Sequence, residues 1–231
     1  MEEKAETRLE ALIVIVDASL DSVIKDLYKQ NKLPVYLLCH GYGSAESEIY
    51  DLLGFGSPKK VVVLGILNSA LTHRILTQLS EKVKFEQPGT GIAFTISLNG
   101  VSSSLWKLCQ QNNEHVLTER EDPAMELKVT YDLIITIVNR GHSDLVMAAA
   151  KKAGATGGTL LHGLGLGSKE AEKFLGITIQ PEKDVILVLA PQEKKQAIME
   201  TITHEVGLNT SGRGICFSLP VNAALGLKPQ A

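Results

Sequence analysis

The feature that most constrains this chain is that it repeats itself. Slid along its own length by one offset, Ala11-Leu-Ile-Val-Ile-Val-Asp17 falls on Leu133-Ile-Ile-Thr-Ile-Val-Asn139, and Leu38-Cys-His-Gly-Tyr-Gly43 falls on Leu160-Leu-His-Gly-Leu-Gly165. The same offset pairs Glu48 with Glu170 and Leu53-Gly54 with Leu175-Gly176. After a single inserted residue, Val62-Val-Leu64 falls on Val185-Ile-Leu187, and Gly89-Thr-Gly-Ile-Ala-Phe94 on Gly212-Arg-Gly-Ile-Cys-Phe217. A chain made of two copies of one unit folds the same module twice, so any account of one half has to hold for the other. The repeat predicts a first module over residues 1–100, a short helix and linker over 101–129, and a second module over 130–231.

The elements are most legible in the second copy. Leu133 to Val138 is rich in β-branched residues and reads as a strand; Ser143 to Ala153 has helical composition, with Ser143 as N-cap and Gly154 as stop. Thr156 to Leu161 is a second strand, followed by a glycine-rich segment and a short helix-like turn from Lys169 to Leu175. Asp184 to Ala190 is continuously apolar after its first residue, as in a strand covered on both faces. Pro191 opens a second helix that runs to about Glu205, and Gly214 to Val221 is the final strand. The order β-α-β-β-α-β is the split β-α-β, or ferredoxin-like, arrangement, in which right-handed crossovers put both helices on one face of a four-stranded antiparallel sheet.

The last strands alternate. Ile92, Phe94 and Ile96 interleave with Ala93, Thr95 and Ser97, while Ile215, Phe217 and Leu219 interleave with Cys216 and Ser218. The bulky face is expected to take the helices, and the small face to approach another sheet closely. The fold expected is therefore α+β, two tandem ferredoxin-like modules whose sheets pack face to face. Between them, Leu105, Trp106 and Leu108 mark a short amphipathic helix and Gln110 to Pro123 a polar linker.

With 231 residues, 44% of them hydrophobic, the chain can bury a proper core. A net charge of −3, with lysines interspersed among acids, leaves no basic patch for nucleic acid. The longest apolar runs are strand-length, far below the ~20 residues that span a bilayer, and the first ten residues are acidic with no apolar signal core. A cytoplasmic protein without membrane insertion is expected. Cys39, Cys109 and Cys216 are an odd, scattered set, which argues for reduced thiols and against a disulfide framework.

Three places carry candidate chemistry. In the second copy His162, Gly163, Gly165 and Gly167 lead into Ser168 and Lys169. Glycines there free backbone N–H groups for an anion, with Ser168 capping and Lys169 adding charge. The spacing is not that of a Gly-x-x-x-x-Gly-Lys-Ser/Thr loop, and the same glycines also suit a bulge or turn leaving the strand. The first copy has His40, Gly41 and Gly43 in these positions. A histidine kept in both copies points to a shared constraint, either a strand-end hydrogen bond or a ligand contact. Cys39 beside His40 has Leu161 as its counterpart, and with no four-ligand set a metal site is not expected.

The third place is Gly212-Arg213-Gly214, where an arginine between glycines can grip a phosphate or carboxylate through two N–H groups. Its counterpart is Gly89-Thr90-Gly91, so a ligand held this way favours the second copy. No catalytic residues are expected: there is no Gly-x-Ser-x-Gly elbow and no His-Glu-x-x-His, and Glu46, Glu48, Glu170 and Glu172 read as a solvated face.

On the repeat, the element order and the segments His162 to Gly167 and Ser211 to Phe217, with "HGYGSAESEIYDLLG" and "PGTGIAF" in the first copy, the chain resembles the PII nitrogen-regulatory family as a tandem duplication. The first segment is similar to the start of that family's mobile loop, the second to its glycine-rich nucleotide-contacting loop. The resemblance implies a homo-oligomeric signalling protein that binds a small effector, an adenine nucleotide such as ATP, ADP or AMP, and controls a partner such as a transporter or enzyme. The chain departs from the family in a shortened loop around Tyr50, in Ile92 and Ile215 where a lysine is usual, and in a C-terminus without basic residues beyond Lys228, which leaves Arg213 to supply charge. Ferredoxin-like modules also serve as amino-acid-binding domains of the ACT type, as metal-associated proteins of the CutA type, and as assembly modules without a ligand.

Overall fold

The computed structural model describes residues 8–44, 58–87, 89–111, 130–164, 172–174, 177–179 and 182–227. The first repeat holds β1 (Leu9–Asp17), α1 (Asp21–Gln30), β2 (Val35–Gly43), β3 (Lys59–Asn68), α2 (Ser69–Lys82) and β4 (Gly91–Ser97), followed by α3 (Ser103–Gln111). The second holds β5 (Tyr131–Asn139), α4 (Ser143–Lys152), β6 (Thr159–Leu164), β7 (Glu172–Phe174), β8 (Ile177–Ile179), β9 (Glu182–Pro191), α5 (Gln192–Val206), β10 (Ile215–Val221) and β11 (Ala223–Leu225). Both repeats thus have the expected β-α-β-β-α-β order in antiparallel sheets, with the hairpin β7–β8 inserted in the second. Of the helix-like turn expected from Lys169 to Leu175, residues 172–174 are corrected to a strand, because Ile177-Thr178-Ile179 is wholly β-branched and gives Glu172–Phe174 an antiparallel partner; the rest lies outside the described residues.

The chain forms two compact units, Met1–Cys39 with Lys60–Lys128 and Val221–Ala231, and His40–Lys59 with Val129–Pro220. In the first, β1 lies between β3 and β4, pairing Ile13 with both Leu64 and Phe94, and β11 adds to the outer side of β4 through Ala224 opposite Phe94. Leu12, Val14, Val16, Val61, Val63 and Ala93 face the helices, where Ile24, Leu27, Ile75 and Leu79 complete the core. The i, i+3, i+4 spacing of Ile24, Leu27 and Tyr28 is what commits α1 to that face. At the start of α2, Asn68 caps the helix by accepting from the Leu71 N–H at 2.8 Å. Burying each of the larger aliphatic side chains contributes about 1.5–3 kcal/mol.

In the second unit the strand order is β10-β5-β9-β6. Ile134, Val138, Ile186 and Val188 meet Val146 and Ala150 of α4 and Ile198 and Ile202 of α5. The end of β2 belongs here as well, Tyr42 opposite Leu160 and Gly43 opposite Thr159. A side chain at Gly41 would lie 2.7 Å from the Leu160 carbonyl oxygen, so this close approach of β2 to β6 requires glycine.

Within the second unit the end of β2 pairs antiparallel with β6. One expectation about the sheet is corrected, the assignment of its sides, which is reversed. Ala93 and Cys216 are the β4 and β10 residues packed against the helix-side cores, whereas Phe94 shares the opposite face with Ile13 and Leu64, and Ile215 and Phe217 are 46% and 41% exposed. The helices bring their own bulk to the interface, so small strand residues fit beneath them, and the large residues turn the other way. Among the described residues no helix is long and apolar enough to cross a membrane.

Candidate functional site

The polar residues of the second unit gather where β5, β6 and β9 end. β6 runs on through His162, Gly163 and Leu164, which pair with Asp184, Lys183 and Glu182. His162 and Gly163 are therefore ladder residues, and the strand exit lies later than the sequence suggests. Directly paired residues share a face, so His162 stands beside Asp184. Its Nδ1 lies 2.9 Å from Asp184 Oδ1. The Asp184 side chain is only 2% exposed and its other oxygen accepts from the Gly141 N–H at 2.9 Å. An ionised carboxylate only accepts, so the ring proton sits on Nδ1 and Nε2 of the neutral imidazole is left as an acceptor. The Tyr42 ring is tilted against His162, with centroids 5.7 Å apart.

Gly141 sits in the turn between β5 and α4, at φ 88°. That turn reaches the other candidate loop. His142 donates from Nδ1 to the Asn139 carbonyl at 3.1 Å, which leaves its Nε2 to accept from the Ser211 hydroxyl at 3.0 Å in the neutral ring. Asn139 donates its backbone N–H to Gly212 O and its side-chain amide to Ser211 O, and its own side-chain oxygen accepts from Lys183 Nζ at 2.6 Å. Arg140 pairs with Glu182 at 2.8 Å. A hydrogen-bonded line thus runs from His162 through Asp184 and the Asn139–His142 turn to Ser211 and Gly212.

The glycine loop before β10 is internally committed. The Gly212 N–H donates to Thr210 Oγ1, that of Arg213 to Thr210 O, and that of Gly214 to Val206 O. A side chain at Gly214 would meet the Val206 oxygen at 2.3 Å, so close packing accounts for this glycine. What the loop presents outward is the exposed Arg213, held at φ 43° in a region that side chains with a Cβ rarely adopt. Beside it lies a cavity of about 560 Å³ bordered by Thr203, His204, Leu208, Asn209, Gly214 and Ile215.

The first repeat holds a reduced version of this arrangement. The Asp17 N–H donates to Thr90 O, and the buried Lys60 reaches the Gly89 carbonyl at 2.5 Å with Asp17 Oδ2 3.9 Å away. Burial pushes the Lys60 ammonium below the usual lysine range, against the opposing charge of Asp17. Hydrogen bonds from the Ser19 hydroxyl and backbone hold the Asp17 carboxyl below its ordinary value, against the opposing effect of its partial burial. Gly91, at φ 150°, packs on the Ile15 carbonyl, and Gly226 lies against Gly91 from the other side. His40 is exposed, and by the repeat offset Val61 stands where Asp184 does. Gly89 at φ 81° has open space around it, as does Gly163 in the second repeat.

Gly165, Gly167, Ser168 and Lys169, like Tyr50, lie outside the described residues. The structure brings His162 to the Gly212–Gly214 loop through residues that were not singled out: Asn139, Gly141, His142, Lys183, Asp184 and Ser211. Part of that signal was present in the repeat, since Asp17 and Lys60 are the counterparts of Asn139 and Lys183. Among the described residues, no group of three or more His, Cys, Asp or Glu is placed to hold a metal ion.

Residues 131–230 match the family model described as nitrogen regulatory protein P-II. No curated protein matches the chain. Among solved structures, PII of Arabidopsis thaliana bound to citrate is 20% identical over 40% of this chain and 75% of its own, with a TM-score of 0.31. The GlnK–ATP complex of B. subtilis is 17% identical over 40% of this chain and 84% of its own, with a TM-score of 0.31. The divalent ion tolerance protein CutA1 from Ehrlichia chaffeensis is 10% identical over 47% and 97%, with a TM-score of 0.36.

Proposed function

We propose, from the match of residues 131–230 to the family model described as nitrogen regulatory protein P-II, that the chain is a regulatory protein that binds a small anionic effector, an adenine nucleotide, in its second repeat. The observation that supports this most is a coincidence of place: the family match and the line from His162 to the Arg213 loop fall on the same repeat. Arg213 contributes charge to phosphate, His162 Nε2 accepts from a ligand donor, and the open surface at Gly163 lets the ligand approach the strand. The backbone N–H groups of Gly212 to Gly214 play no part in this reading, because each already has a protein acceptor. Gly165, Gly167, Ser168 and Lys169 belong to the adjoining loop whose arrangement the effector biases toward or away from a partner protein, a transporter or an enzyme. By the repeat, Gly89 and Gly91 in the first unit, and separately His40, Gly41 and Gly43 in the second, are the weaker counterparts of these residues. The protein acts by binding and not by catalysis, as a homo-oligomer in the cytoplasm.

A thermal-shift panel with ATP, ADP and AMP tests this. A ligand that binds only the folded state adds about 2.7 kcal/mol at 100 times its dissociation constant. The expected result is a rise in midpoint that is lost in Arg213→Ala. A response restricted to amino acids or divalent metals, or no response to any of these, rejects the reading.

A further inference from the structure

β2 and β6 are counterparts in the repeat, and their pairing sets the two kept histidines against each other. Tyr42 lies opposite Leu160 and Gly43 opposite Thr159. Carried back along β2, the same register puts Gly41 opposite Leu161, where a side chain on the glycine would lie 2.8 Å from Leu161 Cδ2, and then His40 opposite His162. All of these residues belong to the second unit. Alternate residues of a strand share a face, so His40 and Tyr42 point the same way, and the Tyr42 ring packed on His162 puts His162 on that face too. Side chains directly opposite each other start from Cβ atoms about 4.5–5.5 Å apart.

The two rings differ in what holds them. His162 is fixed from behind by Asp184, which takes its Nδ1 proton, and its half-buried ring presents Nε2 as a bare acceptor. A carboxylate behind an imidazole is the arrangement that sets the tautomer and raises the basicity of a metal ligand. Both Asp184 oxygens are engaged, one by the ring and one by the Gly141 N–H, so Asp184 serves behind the ring and not as a ligand itself. Lys183 stands on the other face with Asn139 and does not oppose a cation here. The His40 ring is exposed and makes no hydrogen bond among the described residues. A strand-end hydrogen bond therefore accounts for His162 alone, whereas a ligand shared by both rings accounts for the histidine being kept in both copies.

We infer that His40 and His162 together bind one divalent transition metal ion of the kind that imidazole prefers, such as zinc, with water in the remaining positions. His162 Nε2 is the fixed ligand, and His40, free to change rotamer, swings onto the ion at the usual zinc–nitrogen distance of about 2.0–2.1 Å. The site uses the same His162 atom as the proposed effector but does not depend on Arg213.

Zinc titration of the full chain against a chromophoric chelator near neutral pH, with nitrogen NMR of the histidine rings, tests this. The expected result is one ion per chain, with affinity falling as the pH drops through the imidazole range, because protons compete for the ligand nitrogens. On binding, the His162 Nε2 and His40 resonances shift while the Nδ1 proton of His162 is kept. His40→Ala and His162→Ala each weaken binding by more than the roughly tenfold that even an outer partner of a ligand is worth, and His73→Ala, on α2, has no effect. No uptake of zinc, uptake unchanged in His40→Ala, or a shift confined to one of the two rings overturns the inference. His40 is exposed, so its alanine variant folds, and the NMR measurement uses the unaltered chain. The titration contains no nucleotide, so its failure leaves the nucleotide response standing, and a failed nucleotide panel leaves zinc binding standing.

Discussion

At the scale of single residues, Gly212-Arg213-Gly214 divides its labour between packing and exposure. Arg213 holds a left-handed backbone conformation that costs a residue with a Cβ about 1–2 kcal/mol. Arg213→Gly relieves this and gives back part of the gain as freedom of the unfolded chain, so a net stabilisation of ~0.5 kcal/mol is expected in urea unfolding, together with loss of the nucleotide response. Gly214→Ala drives a methyl group into the Val206 carbonyl and is expected to cost about 1–3 kcal/mol. Lys60 gives a pH-dependent test. Its folded-state pKa is lowered, so between that value and its ordinary 10.5 the unfolded chain binds more protons than the folded one, and stability rises with pH across the window. In Lys60→Met this rise is expected to disappear from urea midpoints measured on the alkaline limb. These residues were legible to different degrees. The arginine between glycines stood out as a motif, but its left-handed φ and the commitment of the neighbouring N–H groups depend on Val206 and Thr210 folding back beneath it.

At the scale of elements, β11 shows how a short strand is held by few but specific contacts. Asn222 bonds to Thr95, Ser97 and Glu10, and Gly226, at φ 81°, packs where a side chain would lie 2.4 Å from the Gly91 carbonyl. Gly226→Val is expected to strip β11 from β4, read as faster hydrogen exchange at Thr95 and Asn222 while the amides of β1 stay protected. The main strands could be read from alternation and the helices from composition and stop signals, because those lie within each element; the N-cap of α4, expected at Ser143, is His142, with Ser143 the first helical residue. The β7–β8 hairpin could not, since Glu172–Phe174 is a strand only because Ile177–Ile179 returns to pair with it. The extension of β6 through His162 depends in the same way on β9 beginning at Glu182.

At the scale of the whole molecule, the two repeats are unequal as sites. The second has Arg213, Asp184 and the His142–Ser211 bond; the first has Thr90, Val61 and a lysine already engaged with Gly89. Calorimetric titration with the nucleotide that stabilises the chain is expected to give a single site per chain, and Thr90→Arg alone is not expected to add another, because Val61, the counterpart of Asp184, has no hydrogen-bonding side chain. Two equal sites per chain would contradict this asymmetry. The duplication, the β-α-β-β-α-β order, the two-faced alternation of the strands and the place of the glycine loops were determined by the sequence alone, because each is a pattern of neighbours along the chain. Only the tertiary structure decided which face met the helices, that β11 from the second repeat completes the sheet of the first, and that Asp184 and the Asn139–His142 turn link His162 to the Arg213 loop. Alternation separates two faces without naming the inner one, and strand partners and buried hydrogen bonds are chosen by what the folded chain brings within reach, across separations where the sequence carries no local mark.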